Sequence, residues 1–94
     1  MKSQYFIELE CIVEDYDGIG GKLNYGDIVY LHPQGAAITC ERFTNDIEYA
    51  WKTTDFKMAK VVAKEIYKKG NFLPNIKEIY RNVGAEIYID YDNC

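Results

Sequence analysis

At 94 residues the chain supports one modest core in a single domain, residues 1–94, with little room for a deep pocket beside it. An apolar fraction of 48% with 28% charged residues argues against a disordered chain, and a net charge of −4 argues against a nucleic-acid-binding one. No apolar run approaches a membrane span, and Met1-Lys2-Ser3-Gln4-Tyr5 leads straight into an alternating strand rather than a signal-peptide core, so the expected compartment is the cytoplasm.

The first alternating stretch runs from Tyr5 to Glu14. Tyr5, Ile7, Leu9, Cys11 and Val13 point one way, while Phe6, Glu8, Glu10, Ile12 and Glu14 point the other. Asp15 to Gly21 reads as a glycine-rich loop. Its Gly18-Ile19-Gly20 is no dinucleotide fingerprint, because Leu23 stands where a third glycine should open a helix. Ile28 to His32 is a second strand, Pro33-Gln34-Gly35 a turn, and Ala37 to Phe43 a third strand. After Thr44-Asn45-Asp46, the segment Ile47 to Trp51 reads as a short fourth strand. Turns this short make the strands an antiparallel meander.

Thr54 to Lys69 is the main helix. Phe56, Met58, Ala59, Val62, Ala63, Ile66 and Tyr67 fall on one half of the cylinder, with Lys57, Lys60, Lys64 and Lys68 opposite. Thr54 is the expected cap, and Gly70 suits the left-handed residue that closes the last turn. Asn71 to Pro74 is a connection. Asn75 to Val83 fits a short second helix ended by Gly84 slightly better than a hairpin strand, and the two readings stay open. Ala85 to Tyr91 alternates again as a final strand, and Asp92-Asn93-Cys94 is a frayed tail. The expected fold is therefore α+β: a four- to five-stranded antiparallel sheet with one main helix on one face and a C-terminal strand.

Catalysis is argued against by residue type. His32 and Ser3 are single occurrences, and Ser3 lies beside a fraying terminus, so no serine–histidine–aspartate arrangement is expected. Cys11, Cys40 and Cys94 are an odd number without close spacing. They form neither a disulfide framework nor a zinc pattern, and Cys11 and Cys40 sit in apolar strand patterns. Asp15 and Asp17 lack the spacing of a calcium loop. The expectation is a protein that is not an enzyme and holds no metal or cofactor.

Two constellations remain for binding. Glu8, Glu10 and Glu14, extended by Asp15 and Asp17, form an acidic row beside Phe6 and Ile12. Alternate strand residues lie about 6.8 Å apart, near the phosphate spacing of a nucleic-acid strand, so the row suits a basic protein groove. Lys57, Lys60, Lys64 and Lys68 form the alternative, a phosphate-binding stripe. The nine tyrosines add rigid contact area with polar tips, which favours partner surfaces. A single helix layer leaves the other sheet face carrying Phe6, Ile12 and tyrosines, with the rings as an exposed anchor for a partner, and an apolar face of that kind favours self-association into a homodimer.

Tyr49-Ala50-Trp51-Lys52, then Thr54, Ala59-Lys60 and Ala63-Lys64-Glu65-Ile66, resembles a pattern found in small orphan accessory proteins of phages and prophages, anti-CRISPR inhibitors among them. There an aromatic strand precedes an Ala-Lys-x-x-Ala-Lys helix and a last strand. The resemblance covers residues 36–70 and carries no site residues. It implies a small accessory protein acting on host machinery. With the acidic row, the expectation is an inhibitor of a host or defence protein, nucleic-acid-binding ones among the candidates; the net charge argues against direct nucleic-acid contact, and the lack of a long apolar run against a membrane. The alternatives are a homo-oligomer that sequesters a nucleotide or another small molecule, and a small structural or assembly protein.

Overall fold

The computed structural model describes the backbone of residues 3–18, 21–38, 42–82 and 85–91, and side chains within 3–18, 21–36 and 42–79. Its centre is the first strand, β1 (Gln4–Cys11), which is hydrogen-bonded on both edges. Because strand residues alternate, Ile7, Leu9 and Cys11 face one side and are fully buried, while Phe6, Glu8 and Glu10 face the other. The strand stops at Cys11. Ile12, Glu14 and Asp15, read as a continuation of β1 and its loop, lie beyond it, and Asp15 turns the chain with φ of 52°.

The stretch read as a loop is instead a small hairpin, β2 (Tyr16–Gly18) and β3 (Gly21–Leu23). Tyr16 explains why it folds down. Its ring packs edge-on against Phe72 at 5.1 Å and beside Phe43 at 6.4 Å, and with the buried Leu23 these two contacts tie the hairpin to the main core. Residues 19 and 20 lie outside the described set.

Next, β4 (Ile28–Leu31) runs antiparallel to β1. The expected third strand is corrected. Pro33–Ile38 is a short helix, α1, and only Phe43–Thr44, β5, pairs with β4; residues 39–41, Cys40 included, are not among those described. The physical reason is local. Pro33 occupies the first helical position, where its missing donor costs nothing, and the His32 carbonyl accepts from Gly35 and Ala36. His32 Nδ1 also accepts the Gln34 N–H at 3.1 Å.

The expected fourth strand is also corrected, because Ile47–Tyr49 forms one 3-10 turn. Asp46 caps it through Oδ1 to the Glu48 N–H at 2.9 Å. At its far end Lys52 Nζ donates to the carbonyls of Ile47, Glu48 and Ala50 at 2.9, 3.2 and 3.1 Å. That cation satisfies three acceptors that a strand would have given to a neighbour.

From there the chain crosses to the opposite face of the sheet. Trp51 N–H donates to the Leu31 carbonyl, and Thr53 exchanges two hydrogen bonds with Tyr5, taking the place beside β1 that β4 has vacated. The main helix, α2 (Phe56–Lys68), starts two residues later than expected. Asp55 rather than Thr54 is the cap, accepting from Lys57 and Met58. Gly70 closes the end with φ of +80°. Ala59, Val62, Ala63 and Ile66 are buried, whereas Met58 and Tyr67, placed on the core stripe from the sequence, are about half exposed at its two borders.

The ambiguous segment is a strand. β6 (Phe72–Asn82) pairs with the whole length of β1, and β7 (Ala85–Tyr91) returns beside it, so the short second helix at Asn75–Val83 is corrected. Residues 83 and 84 and the tail 92–94, with Cys94, lie outside the described set. Pro74 does not interrupt the ladder. Ile12 N–H bonds the Asn71 carbonyl, so Leu9 and Pro74 fall on a non-hydrogen-bonded step, and the described β7 pairs only from Ile76 onward.

The result is an α+β fold with a five-stranded antiparallel sheet ordered β5-β4-β1-β6-β7. It is not a simple meander. Strands β1, β4 and β5 follow one another, and the β6–β7 hairpin joins the other edge of β1. The main core lies between sheet and α2, built from Ile7, Leu9, Val29, Leu31, Ile66, Phe72 and Ile76 among others. A smaller second core, Phe6, Ala50 and Ile79, lies on the far face under the 3-10 turn.

Candidate protein-binding face

Register places the far-face residues in rows. Ile28, Glu10 and Leu73 stand side by side on β4, β1 and β6, and Tyr30, Glu8 and Asn75 form the next row. Phe6 and Lys77 are paired in the row beyond. Ile28 and Leu73 are 47% and 39% exposed, large values for aliphatic side chains on central strands, and they flank the half-buried Glu10.

Beside them is an open recess of about 180 Å³, lined by Phe6, Glu8, Tyr30, Ile47 and Lys77. The Phe6 and Tyr30 rings meet at 5.9 Å and 60°. Lys77 Nζ reaches Glu8 Oε2 at 3.5 Å, with both side chains roughly four-fifths buried. Among the described residues Lys77 is the one partner of the Glu8 carboxylate, and the Tyr30 hydroxyl has no hydrogen-bond partner. Ile47 forms one wall, held in place by the capped 3-10 turn.

The acidic row is therefore shorter than expected. Glu8 and Glu10 share a face of β1, but Glu8 is paired with a lysine. Glu14 and Asp15 are exposed in the turn after the strand, and Asp17 lies on β2 across from Lys22. Ile12 is half buried past the strand end. Phe6 was expected to be an exposed anchor and is corrected: it is 1% exposed, closed over by Ala50 and the turn. With Phe6 covered, the exposed aliphatic side chains on this sheet face are Ile28 and Leu73, and Tyr49 is exposed on the 3-10 turn.

Lys57, Lys60, Lys64 and Lys68 line the exposed side of α2, on the other side of the sheet. Lys60 lies 5.8 Å from the Phe56 ring centre and Lys68 pairs with Glu65 at 3.1 Å. Cys11 is buried, its thiol donating to the Val13 carbonyl at 3.2 Å. Among the described residues no three His, Cys, Asp or Glu side chains group to hold a metal, and no helix is long and apolar enough to cross a membrane.

No protein family, curated protein or solved structure matches the chain. The geometry alone therefore carries the functional argument. Five residues of the face escaped the sequence reading: Ile28, Tyr30, Ile47, Leu73 and Lys77. Ile76-Lys77-Glu78-Ile79 does not alternate apolar with polar, and its local pattern gave no strand signal. Read as a strand antiparallel to β1, it brings a lysine next to Glu8.

Proposed function

We propose that this chain is a non-enzymatic protein-binding module that receives a basic partner on the sheet face away from α2. In this reading it belongs with small phage-encoded inhibitors that act in the bacterial cytoplasm on a host or defence protein, anti-CRISPR inhibitors being one kind. The observation that carries it is the row of Ile28, Glu10 and Leu73 beside the Glu8–Tyr30 recess. Exposed apolar groups supply area to desolvate, carboxylates steer a basic partner, and a five-stranded sheet holds both rigid before contact.

The test is affinity capture from a bacterial lysate with three baits. Wild type should retain a basic protein in a salt-sensitive manner. A Glu10→Lys, Ile28→Ser bait should lose it, while Lys60→Glu, Lys64→Glu should retain it. Loss with the helix substitutions alone would move the function to α2. The second reading, a nucleotide-sequestering oligomer, would then lead, since Lys57 and Lys64 are exposed and have no ion-pair partner among the described residues. A nucleotide that raises the melting temperature would support it.

A further inference from the structure

The recess has a chemistry of its own, and we infer that it is the seat for an arginine side chain of the partner. The inference rests on the protein-binding reading and names what that face holds. Glu8 presents a carboxylate that is mostly buried yet touched, among the described residues, by a single cation at 3.5 Å through one oxygen. Its other oxygen remains an acceptor, and a carboxylate takes two parallel N–H bonds from a guanidinium. The Tyr30 ring, half buried in the same wall, offers a face on which a planar cation stacks, and Ile47 offers contact for the methylenes.

Charge decides between occupants. Glu8, Glu10 and Lys77 together leave this part of the face at −1. A phosphate or carboxylate would meet Glu8 directly, and Lys77 is already engaged with it. A lysine ammonium is strongly hydrated and lacks the planar fork, so it can sit over the ring only as a point charge and does not bridge both oxygens in parallel. Arginine uses all three features. The recess is also preformed, because Lys52 and Asp46 pin the turn that carries Ile47, so little ordering is needed on binding.

The probe is N-acetyl-arginine methylamide, titrated into the full chain and followed by amide and side-chain NMR shifts at Glu8, Tyr30 and Lys77. The uncharged citrulline analogue serves as the isostere. Saturation in the range of about 1–10 mM is expected, as befits a single anchoring side chain. Citrulline should bind at least tenfold more weakly. Glu8→Gln should lose tenfold or more. Tyr30→Leu, which keeps the charge and removes the ring, should lose severalfold, and it serves as the second variant if Glu8→Gln disturbs folding. Lys77→Met should tighten binding, because it frees the carboxylate. An anion site would respond in the opposite sense, with inorganic phosphate binding to wild type and failing with Lys77→Met.

Equal shifts with citrulline, absence of saturation, or weaker arginine binding in Lys77→Met would each overturn the assignment. Failure of the seat and failure of the broader reading separate cleanly. A captured partner indifferent to Glu8→Gln removes the arginine seat and keeps the protein-binding face. A selective arginine titration with no captured partner does the reverse.

Discussion

Replacing Phe6 with alanine is the sharpest probe of the far face, because exposed and buried readings of this ring predict different magnitudes. The ring is 1% exposed and packs on Tyr30, Ala50 and Ile79. Losing the transfer energy of a buried phenyl and leaving a cavity costs about 3–5 kcal/mol in well-packed cores. The adjoining recess lets neighbours and water relax into the space, so the lower end, about 3 kcal/mol, is expected. A 94-residue domain has roughly 5–14 kcal/mol in total, so the variant keeps a reduced but measurable transition. With a urea slope of about 1–3 kcal/mol per molar, the midpoint should fall by about 1–3 M at unchanged slope. Equilibrium unfolding by circular dichroism reads this directly. A loss below about 0.5 kcal/mol, the size of an exposed substitution, would refute burial and return Phe6 to the role of surface anchor.

Lys52→Met should destabilise the chain by about 1–3 kcal/mol, since one cation satisfies three carbonyls, and hydrogen exchange at Tyr49 and Ala50 should rise selectively; unchanged exchange would show that the turn holds without it. Asp55→Ala should cost about 1 kcal/mol through loss of the α2 cap, while Thr54→Ala should be close to neutral; the reverse order in thermal melts would restore Thr54 as the cap. Gly18→Ala should displace the Tyr16 ring, because a new Cβ would lie 2.5 Å from its Cε2. Altered ring-proton contacts between Tyr16 and Phe72 would register the displacement, and an unchanged NMR contact pattern would count against the hairpin packing.

Residues with one dominant local signal were legible in the sequence. The alternation of β1 sorted Ile7, Leu9 and Cys11 from Glu8 and Glu10, the lysine stripe marked the outer side of α2, and Gly70 marked its end. Misreadings arose where the local signal was short or was satisfied from a distance. Ile47-Glu48-Tyr49 has strand-like composition, but Lys52 and Asp46 supply the turn with partners that a window of three residues does not weigh. Asn75 to Val83 carries apolar residues at helical and at strand spacing. Only the long antiparallel register with β1 decides it, and that is a tertiary fact. The site was half legible for the same reason. Glu8 and Glu10 were visible, whereas Ile28, Tyr30, Ile47, Leu73 and Lys77 come from elements whose neighbours on the sheet are set by topology.

The placement of β1 has a consequence for how the chain acquires its structure. Its partners on β6 lie more than sixty positions further along, from Phe72 opposite Cys11 to Ile79 opposite Gln4. Until that distant segment arrives, β1 and β4 form a ribbon with an open edge and with Ile7, Leu9 and Val29 uncovered on one side. Such non-local closure slows folding and leaves a template for pairing with other molecules. Glu8 and Glu10 stand on that waiting strand. Before β6 docks, their like charges disfavour pairing with a second copy of the same ribbon, which is the role of gatekeepers against aggregation.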